Sequence, residues 1–339
     1  MGTEPNFASI ASAAPQGRKR NWALSAPSLF FLCVLFAGAN AFAAAETCDR
    51  ACLTGVLNQY LNALIKHDTS AAPLFVGFRQ TENAAVVKPG NGLWKTMTGL
   101  GNVQRRYLDA VSGQAGFFGT ILEGPDAAIV TLRLRVENRK VTEAEWVVAR
   151  TLGPQANVPP PPGGGLVGPE GLAASPPPAK MLQKEAQTSR EAMIAIANSY
   201  FDGLQAHDGS VVMEHSGCAR IENGGTVTGM GRGRGGDTVD RGDCAAGLQN
   251  FTMRVAARRF PLVDEEAGVV LGMVVFIRPP GSTQKRNLLT EWFHIDHNKI
   301  RAIYAAMYYP EQDAPAPNWP PYDGNYPLPS LPGMNPDRR

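Results

Sequence analysis

Two stretches of the chain carry apolar residues at mixed three- and four-residue spacing. This spacing places the apolar side chains on one face of an α-helix, so each stretch predicts an amphipathic helix packed against a core. The first stretch has Leu53, Val56, Leu57, Tyr60, Leu61 and Leu64, and the second has Met193, Ile196, Tyr200 and Leu204.

Two later stretches alternate between apolar and polar residues, which is typical of paired β-strands. Residues 128–136 alternate and, after a short turn, residues 141–150 run back; residues 288–295 and 300–309 repeat this arrangement. Helices that precede an antiparallel meander predict an α+β fold rather than a parallel sheet.

These matching elements belong to an internal repeat. The segment Tyr60–Asp68 returns as Tyr200–Asp208, and the pair Glu82-Asn83 returns at the same offset as Glu222-Asn223. A repeat of this length indicates a duplicated domain, so we expect any pocket to exist twice, with one copy open to specialisation. The second copy carries about nineteen extra residues in its middle, either near the glycine-rich loop at 224–236 or in the hairpin at 279–285.

Low-complexity segments divide the chain into five parts. A proline- and glycine-rich stretch between the copies reads as a solvated linker, and the C-terminal tail is rich in proline but carries aromatics that favour packing along the second domain. The predicted parts are an export signal at 1–43, a first domain at 46–152, a linker at 153–183, a second domain at 184–310 and a tail at 311–339.

The N-terminal segment has the features of a cleaved export signal. Basic residues at 18–20 precede an apolar run, and Ala41-Phe42-Ala43 offers the small residues that signal peptidase accepts. The alternative is a membrane anchor, but Pro27 and Asn40 leave a short apolar core. We therefore predict a periplasmic or secreted protein with no stable membrane anchor.

Charge and cysteine content fit this location. Without residues 1–43 the chain has 29 basic and 29 acidic residues, which argues against nucleic acid or an anionic membrane as a partner. Four cysteines remain, and an even number in an oxidising compartment suggests disulfides. The predicted pairs are Cys48–Cys52, which are one helical turn apart, and Cys218–Cys244, although spacing leaves the connectivity open. A zinc site at His215, Cys218 and Cys244 matches no ligand spacing, so we expect no metal and no cofactor.

Four motifs carry a resemblance to a known superfamily. They are the helix end Tyr60–Asp68, the triplet Thr81–Asn83, the loop Gly90–Trp94 and the turn and strand Asn138–Glu143. In these the chain resembles the SnoaL-like, nuclear-transport-factor-2-like superfamily. In the stretches Cys48–Cys52, Gly90–Trp94 and Arg258–Glu266 it more narrowly resembles a tandem two-domain exported group without an established general activity. One departure is Asn91, where relatives often have Asp.

The resemblance implies two cone-shaped α+β domains, each a curved antiparallel sheet wrapped by N-terminal helices around a pocket. Superfamily members include dehydratases, isomerases, epoxide hydrolases, polyketide cyclases, aldol-type lyases and inert binding domains. Fold is therefore implied more firmly than chemistry, which has to be argued from residues. Such cones often pack sheet to sheet, and here the pairing could be intramolecular or homodimeric.

Glu291 is the foremost candidate for chemistry. Strand alternation places it on the same face as Phe293 and Ile295, and a carboxyl group on an apolar face has a raised pKa that suits a general acid or base. The alternative is a structural ion pair with Arg254 or Arg301.

The neighbouring residues Trp292 and His294 fall on the opposite face of this strand, toward helices or solvent. His294 could shuttle a proton near neutral pH, although a packed or exposed strand histidine is the more common case. Phe293, on the same face as Glu291, is a candidate for contact with a ligand.

Repeated polar residues give further candidates. Glu82 and Glu222 could supply one acid/base group per pocket with Asn83 and Asn223 as ligand contacts, or these pairs could form turns. Trp94 could stack on an aromatic ligand or belong to the core.

No serine-nucleophile, zinc-protease, phosphate-loop or dinucleotide motif occurs in the sequence. The sequence therefore favours a cofactor-independent acid/base enzyme of lyase, isomerase or dehydratase type acting on a small apolar or aromatic molecule. The alternative is a non-catalytic periplasmic binding protein with two cone domains. A third possibility is an interaction protein that uses its proline-rich tail.

Overall fold

The computed structural model describes residues 47–151, 156–158, 168–232 and 237–311. In the first copy, the helices are α1 (Arg50–Ile65) and α2 (Leu93–Thr96), and the strands are β1 (Leu74–Glu82), β2 (Ala85–Val86), β3 (Gly99–Asp109), β4 (Gln114–Glu123), β5 (Asp126–Glu137) and β6 (Lys140–Ala149). The predicted export signal and nearly all of the predicted tail lie outside the described residues.

The second copy follows helix α3 (Gly168–Ala174) and repeats the order of the first. It contains helix α4 (Arg190–Ala206) and strands β7 (Glu214–Glu222), β8 (Gly225–Thr226), β9 (Met230–Arg232), β10 (Thr238–Asp240), β11 (Arg254–Asp264), β12 (Val269–Ile277), β13 (Asn287–Asp296) and β14 (Lys299–Tyr308). The predicted fold class, α+β with two tandem cone-shaped domains, is confirmed.

Polar caps define where the helical segments begin. The Asp49 side chain accepts a hydrogen bond from the Cys52 N–H at the start of α1. Asp68 and Asp208, which end the repeated segment, each accept from a serine N–H and start a short 3₁₀ turn. Such caps satisfy N–H groups that have no partner inside the helix.

Each copy has a six-stranded sheet, in the orders β2-β1-β6-β5-β4-β3 and β11-β12-β13-β14-β7-β8. The sheets are mixed, because β1 pairs in parallel with β6 and β7 pairs in parallel with β14. The expectation of an antiparallel sheet was therefore wrong at one strand pair in each copy. The remaining strands of each sheet separate these parallel partners in sequence, so no hairpin pattern marks their pairing.

Helices α1 and α4 each cover one face of their own sheet. Helix α1 contacts β3, β4 and β5, and its apolar face joins a core that includes Trp94, Leu132 and Trp146. Helix α4 contacts β11 to β14 and joins a second core around Phe201 and Phe293.

The other faces of the two sheets pack against each other and form a third apolar core. Trp292 from the second copy packs on Gly116 in the first, where an added Cβ would lie 2.5 Å from the indole ring. The Trp292 indole N–H donates to Thr131 Oγ1 at 2.9 Å, and Thr290 Oγ1 donates to the same atom at 2.7 Å. Thr131 and Thr290 occupy equivalent positions in β5 and β13, so a pseudo-two-fold axis passes near this hydrogen bond.

Ion pairs between the copies follow the same symmetry. Arg50 from α1 donates to Asp264 at 2.7 Å, and Arg190 from α4 donates to Asp109 at 2.7 Å. Each of these aspartates also accepts a backbone N–H from the opposite copy. The reciprocal pattern is that of an isologous interface between two identical subunits.

One buried charge cluster breaks the symmetry. Glu145 accepts hydrogen bonds from Arg133 in its own sheet and from Arg259 in the other sheet, and all three side chains are almost fully buried. The residue equivalent to Glu145 in the second copy is Tyr304, and Trp292 is equivalent to Arg133. At these equivalent positions the interface therefore has a buried ionic cluster on one side of the axis and aromatic side chains on the other.

The packing of the sheets corrects the predicted position of Trp292 and His294. Both lie against the first copy's sheet rather than against helices or solvent, and every residue of β13 except Asp296 is buried. The alternation of β13 was interpreted correctly, but both of its faces are covered by protein.

The extra residues of the second copy are divided between two places. Asp109 and Asp264 have equivalent registers, so most of the insertion lies between Asn223 and Asp264, where β9 and β10 form a small separate hairpin. The rest lengthens the turn between β12 and β13.

Both predicted disulfides, Cys48–Cys52 and Cys218–Cys244, are confirmed. Paired disulfides of this kind indicate folding in an oxidising compartment. Among the described residues, no helix is long and apolar enough to cross a membrane.

Candidate active site

The site is built around Glu291, in the middle of β13. Its side chain faces the core of the second copy beside Phe293, as the strand alternation predicts, and only 1% of the residue is exposed. Its cross-strand neighbours are Gly272 in β12 and Ala305 in β14, two of the smallest residues. The carboxyl group therefore lies in an apolar interior without a polar neighbour on either adjacent strand.

No hydrogen bond or ion pair to Glu291 is found within the described part of the chain, and its buried Oε2 has no partner there. Burial raises the pKa of Glu291 to about 8; the negative charge of Glu222 adds to the increase and Arg220 opposes it. A carboxyl group with this pKa is protonated at neutral pH and can donate a proton.

The cation that acts on Glu291 is Arg220, which comes from β7 and not from the positions that the sequence suggested. Its Nη1 donates to the Tyr200 hydroxyl at 2.8 Å and its Nη2 donates to the Ala246 carbonyl at 3.4 Å. Burial alone would lower the pKa of Arg220, but Tyr200, Glu222 and Glu291 outweigh this effect and the pKa is raised. Arg220 therefore stays charged inside the second copy.

Glu222 connects this cluster with solvent. It ends β7, its carboxylate lies 3.7 Å from Arg220 Nε, and 27% of its side chain is exposed. That distance is too long for a hydrogen bond, so Arg220 Nε is buried without a partner among the described residues. Glu222 is the acid placed to exchange a proton with water.

The first-copy equivalents of Arg220 and Glu291 are uncharged. Gln80 replaces Arg220, Leu132 replaces Glu291 and Trp146 replaces Ala305. The Gln80 Oε1 accepts from the Tyr60 hydroxyl at 3.0 Å and from the Trp94 indole N–H at 2.7 Å. The first copy therefore has a glutamine and a leucine where the second copy has a buried arginine and a buried acid, whereas Glu82 corresponds to Glu222.

The other candidates in the first copy have structural contacts. Trp94 is 1% exposed and belongs to the core. Glu82 accepts the Leu93 N–H at 3.0 Å at the start of α2 and forms an ion pair with Arg150 at 3.3 Å. Because Trp94 is buried in the core and Glu82 is held by Leu93 and Arg150, neither side chain is placed to reach a ligand.

Asn83 and Asn223 both follow their glutamates with positive φ. The Asn83 side chain accepts the Val148 N–H, and that of Asn223 accepts the Met307 N–H, each at 2.8 Å. These amides hold the strand ends together, which favours the turn interpretation over ligand contact.

Phe293 and His294 point in opposite directions from β13. Phe293 lies in the aromatic core with Tyr200 and Phe201. His294 lies at the interface between the copies, with Nε2 3.3 Å from the Tyr107 hydroxyl. Burial, with a smaller effect from Arg105, lowers the pKa of His294 to about 3, so it is neutral near pH 7 and does not join Glu291 in one site.

Replacing His294 with glutamine is expected to reduce the loss of stability in acid. The unfolded chain binds a proton below pH 6.5, whereas the folded chain binds one only near pH 3, so the free energy of unfolding falls by about 1.4 kcal/mol per pH unit between these values. Urea denaturation at pH 4, 5 and 7 measures this slope. The matched control is His297→Gln at an exposed position; equal slopes in both variants would contradict the prediction.

The suggested zinc ligands are used otherwise. Cys218, Cys244 and Glu214 are close together, but the two sulfurs form a disulfide. The third suggested ligand, His215, contacts Asp296 at 2.6 Å. This group of residues therefore offers no thiolate to a metal.

Comparison with known proteins gives a family-model match over part of the chain and no activity. The model of a family described as "Domain of unknown function (DUF8021)" matches residues 186–307, which lie in the second copy. Among solved structures, the chain is similar to an NTF2-like protein from Cytophaga hutchinsonii ATCC 33406, with 11% sequence identity and a TM-score of 0.23; the match covers 35% of this chain and 98% of that chain. No curated protein matches the chain.

Proposed function

We propose that the second copy is a cofactor-independent acid/base site for a small apolar or aromatic molecule, with Glu291 as the proton-transfer group. The observation that carries this proposal is the buried, unpaired carboxyl group of Glu291 beside a buried arginine in an otherwise apolar core. Carboxyl groups with strongly raised pKa values concentrate at functional sites. The first copy acts as the support on which the site is built.

The groups of the second copy divide the chemistry between them. Protonated Glu291 donates a proton to the bound molecule, and the carboxylate that results can remove a proton from a neighbouring atom. Arg220 stabilises the negative charge that forms on the Glu291 carboxylate during this exchange. Glu222, which reaches solvent, exchanges protons with water and so restores the proton on Glu291. One acid that donates and removes protons suits a lyase, isomerase or dehydratase.

The location of the protein belongs to the same proposal. We place it in the periplasm or outside the cell, because two disulfides and an N-terminal export pattern support folding in an oxidising compartment. The substrate then reaches the site from the cell exterior or the periplasm.

Turnover of a compound panel tests the proposal. The purified chain without its signal is incubated with small aromatic, epoxide and aldol-type compounds, and mass changes are followed. Glu291→Gln is expected to lose at least about a hundredfold of the turnover, the low end for loss of a general acid or base. Glu222→Gln is expected to slow turnover less.

Glu82→Gln is the matched control, because Glu82 is the first-copy equivalent of Glu222. This variant is expected to turn over the compound at the rate of the natural chain. Turnover unchanged in Glu291→Gln would overturn the assignment of the proton-transfer group. Compounds that raise the melting temperature of every variant without reacting would instead support the non-catalytic binding protein.

A further inference from the structure

Two buried side-chain atoms of the cluster that surrounds Tyr200 have no hydrogen-bond partner among the described residues. These are Glu291 Oε2 and Arg220 Nε, whose ion pair with Glu222 spans 3.7 Å. Buried polar groups in native proteins are nearly always hydrogen-bonded, so each exception requires an explanation such as an absent water or ligand. Two exceptions in one cluster point to one occupant.

The spacing of the two groups supports this occupant. Arg220 and Glu291 are not within the 4.0 Å of an ion pair, yet each charge shifts the pKa of the other. Their strands, β13 and β7, lie on either side of β14, and the pairing through Ile303 and Ala305 places both side chains on one face of the sheet. A group that lies between them could bond to both, whereas the two side chains do not bond to each other.

The hydrogen-bond donors of Arg220 and Glu291 define the chemistry of the bridging group. Arginine Nε–H only donates, and a protonated carboxyl group donates through its hydroxyl. Both donors require an acceptor, and a carboxylate offers two acceptor oxygens in a fixed plane that suits arginine. A ligand amine or ammonium would face two donors and would be excluded.

We infer that the site binds a small carboxylic acid, with its carboxylate between Arg220 and Glu291 and its apolar or aromatic part toward Phe293. This inference rests on the proposed function, because it names the substrate class of the same site. Recognition of the ligand carboxylate then depends on Arg220, whereas proton transfer depends on Glu291.

Binding measurements on the full chain without its signal test this assignment at pH 6.5. The probes are benzoate, cyclohexanecarboxylate and the neutral benzamide, followed by calorimetry and by melting temperature. Benzoate is expected to bind at least tenfold more tightly than benzamide. Arg220→Gln is expected to lose this preference, and this variant introduces the residue that the first copy already has at the equivalent position.

Arg258→Gln is the matched control, because Arg258 forms a more exposed ion pair with Asp202 on the outside of α4, and it is expected to keep the preference for benzoate. Equal binding of benzoate and benzamide, or benzoate binding that survives Arg220→Gln, would overturn the assignment. If none of the probes binds, a bridging water remains as the occupant, and the assignment of a carboxylic acid is likewise overturned.

Glu291→Gln separates this inference from the proposed function. The glutamine amide can still donate to a carboxylate, so binding of benzoate is expected to stay within about tenfold while turnover is lost. Retained turnover with retained binding would contradict the proposed function alone.

The pH dependence of binding gives a second readout. The charged or titratable groups that act on Glu291 are Arg220 and Glu222 from β7 and Tyr200 from α4. Benzoate affinity is expected to fall above about pH 8 in the natural chain, as Glu291 ionises and repels the ligand, and to stay level in Glu291→Gln. The same decrease in both proteins would contradict the placement of the carboxylate beside Glu291.

Discussion

Replacing Glu291 with glutamine is expected to make the protein more stable, by an amount that increases with pH. Below pH 4.5 both the folded and the unfolded chain hold the proton on Glu291, so the variant gains little. Between pH 4.5 and about 8 the unfolded chain releases the proton while the folded chain keeps it. The free energy of unfolding of the natural protein therefore falls by about 1.4 kcal/mol per pH unit in this window.

Glutamine does not titrate, so the Glu291→Gln variant does not show this decrease in the free energy of unfolding. The expected gain from Glu291→Gln reaches about 3 to 5 kcal/mol near pH 8 and then stays constant. Urea denaturation at pH 5, 6.5 and 8, followed by tryptophan fluorescence, measures it. Glu185→Gln at an exposed position is the control and is expected to show no gain. A Glu291→Gln variant that is less stable than the natural protein at pH 8 would mean that the carboxylate has a stabilising partner.

Such a gain would also bear on function. A residue that lowers stability and is nevertheless present at a buried position is typical of an active site, where activity and stability conflict. Gain of stability together with loss of turnover in the same variant would therefore support the role of Glu291 more strongly than either result alone.

Replacing Glu145 with glutamine is expected to have an effect of similar size in the opposite direction. Glu145 supplies a negative charge to Arg133 and Arg259, whose side chains are at most 1% exposed. Removing one member of a buried ionic cluster leaves uncompensated charge and costs about 3 to 5 kcal/mol. The loss is expected at the interface between the copies, because Arg259 reaches Glu145 from the opposite sheet.

Urea denaturation with a spectroscopic probe at the interface tests this expectation. Trp292 lies at the interface, so its fluorescence is expected to change together with the loss of stability in Glu145→Gln. The control is Asp202→Asn, which breaks a more exposed pair with Arg258 and is expected to cost less than about 1 kcal/mol. Equal decreases in the free energy of unfolding in the two variants would show that burial does not increase the contribution of the Glu145 cluster to stability.

Local patterns in the sequence were enough to predict the elements of each copy. The repeated helix around Tyr60 and Tyr200, the closing hairpins and the Cys48–Cys52 disulfide followed from spacing that is visible within a few residues, whereas Cys218–Cys244 was the pair that remained. The face of β13 that carries Glu291 also followed, because strand alternation is a local property. The α+β class came from the order of these elements along the chain.

Contacts between distant parts of the chain were not predictable in the same way. The parallel pairing of β1 with β6 leaves no local signature, and alternation in β13 could not show that Trp292 and His294 meet a second sheet. One signal was available: β12, from Val269 to Ile277, is almost continuously apolar, which is typical of a strand buried on both faces. That strand could have indicated that the sheets pack together.

The cation that acts on Glu291 was missed for a related reason. Arg220 lies on β7, which is far from β13 in sequence, and the sequence suggested Arg254 and Arg301 instead. Comparison of the two copies would have found it, because Gln80 of the first copy stands where the second has Arg220. This exchange from a neutral to a charged residue at an equivalent buried position is the sequence signal that could have indicated Arg220.

The hydrogen bond between Thr131 and Thr290 has a consequence for how the two halves can vary. In a dimer of identical chains, every residue near the axis meets its own copy, so a charge placed there appears twice and faces its like. A tandem chain is free of this condition, and Glu145 accordingly has Tyr304 as its counterpart. Each half has become complementary to the other and has lost the self-complementarity of a symmetric dimer, so neither half can replace its neighbour.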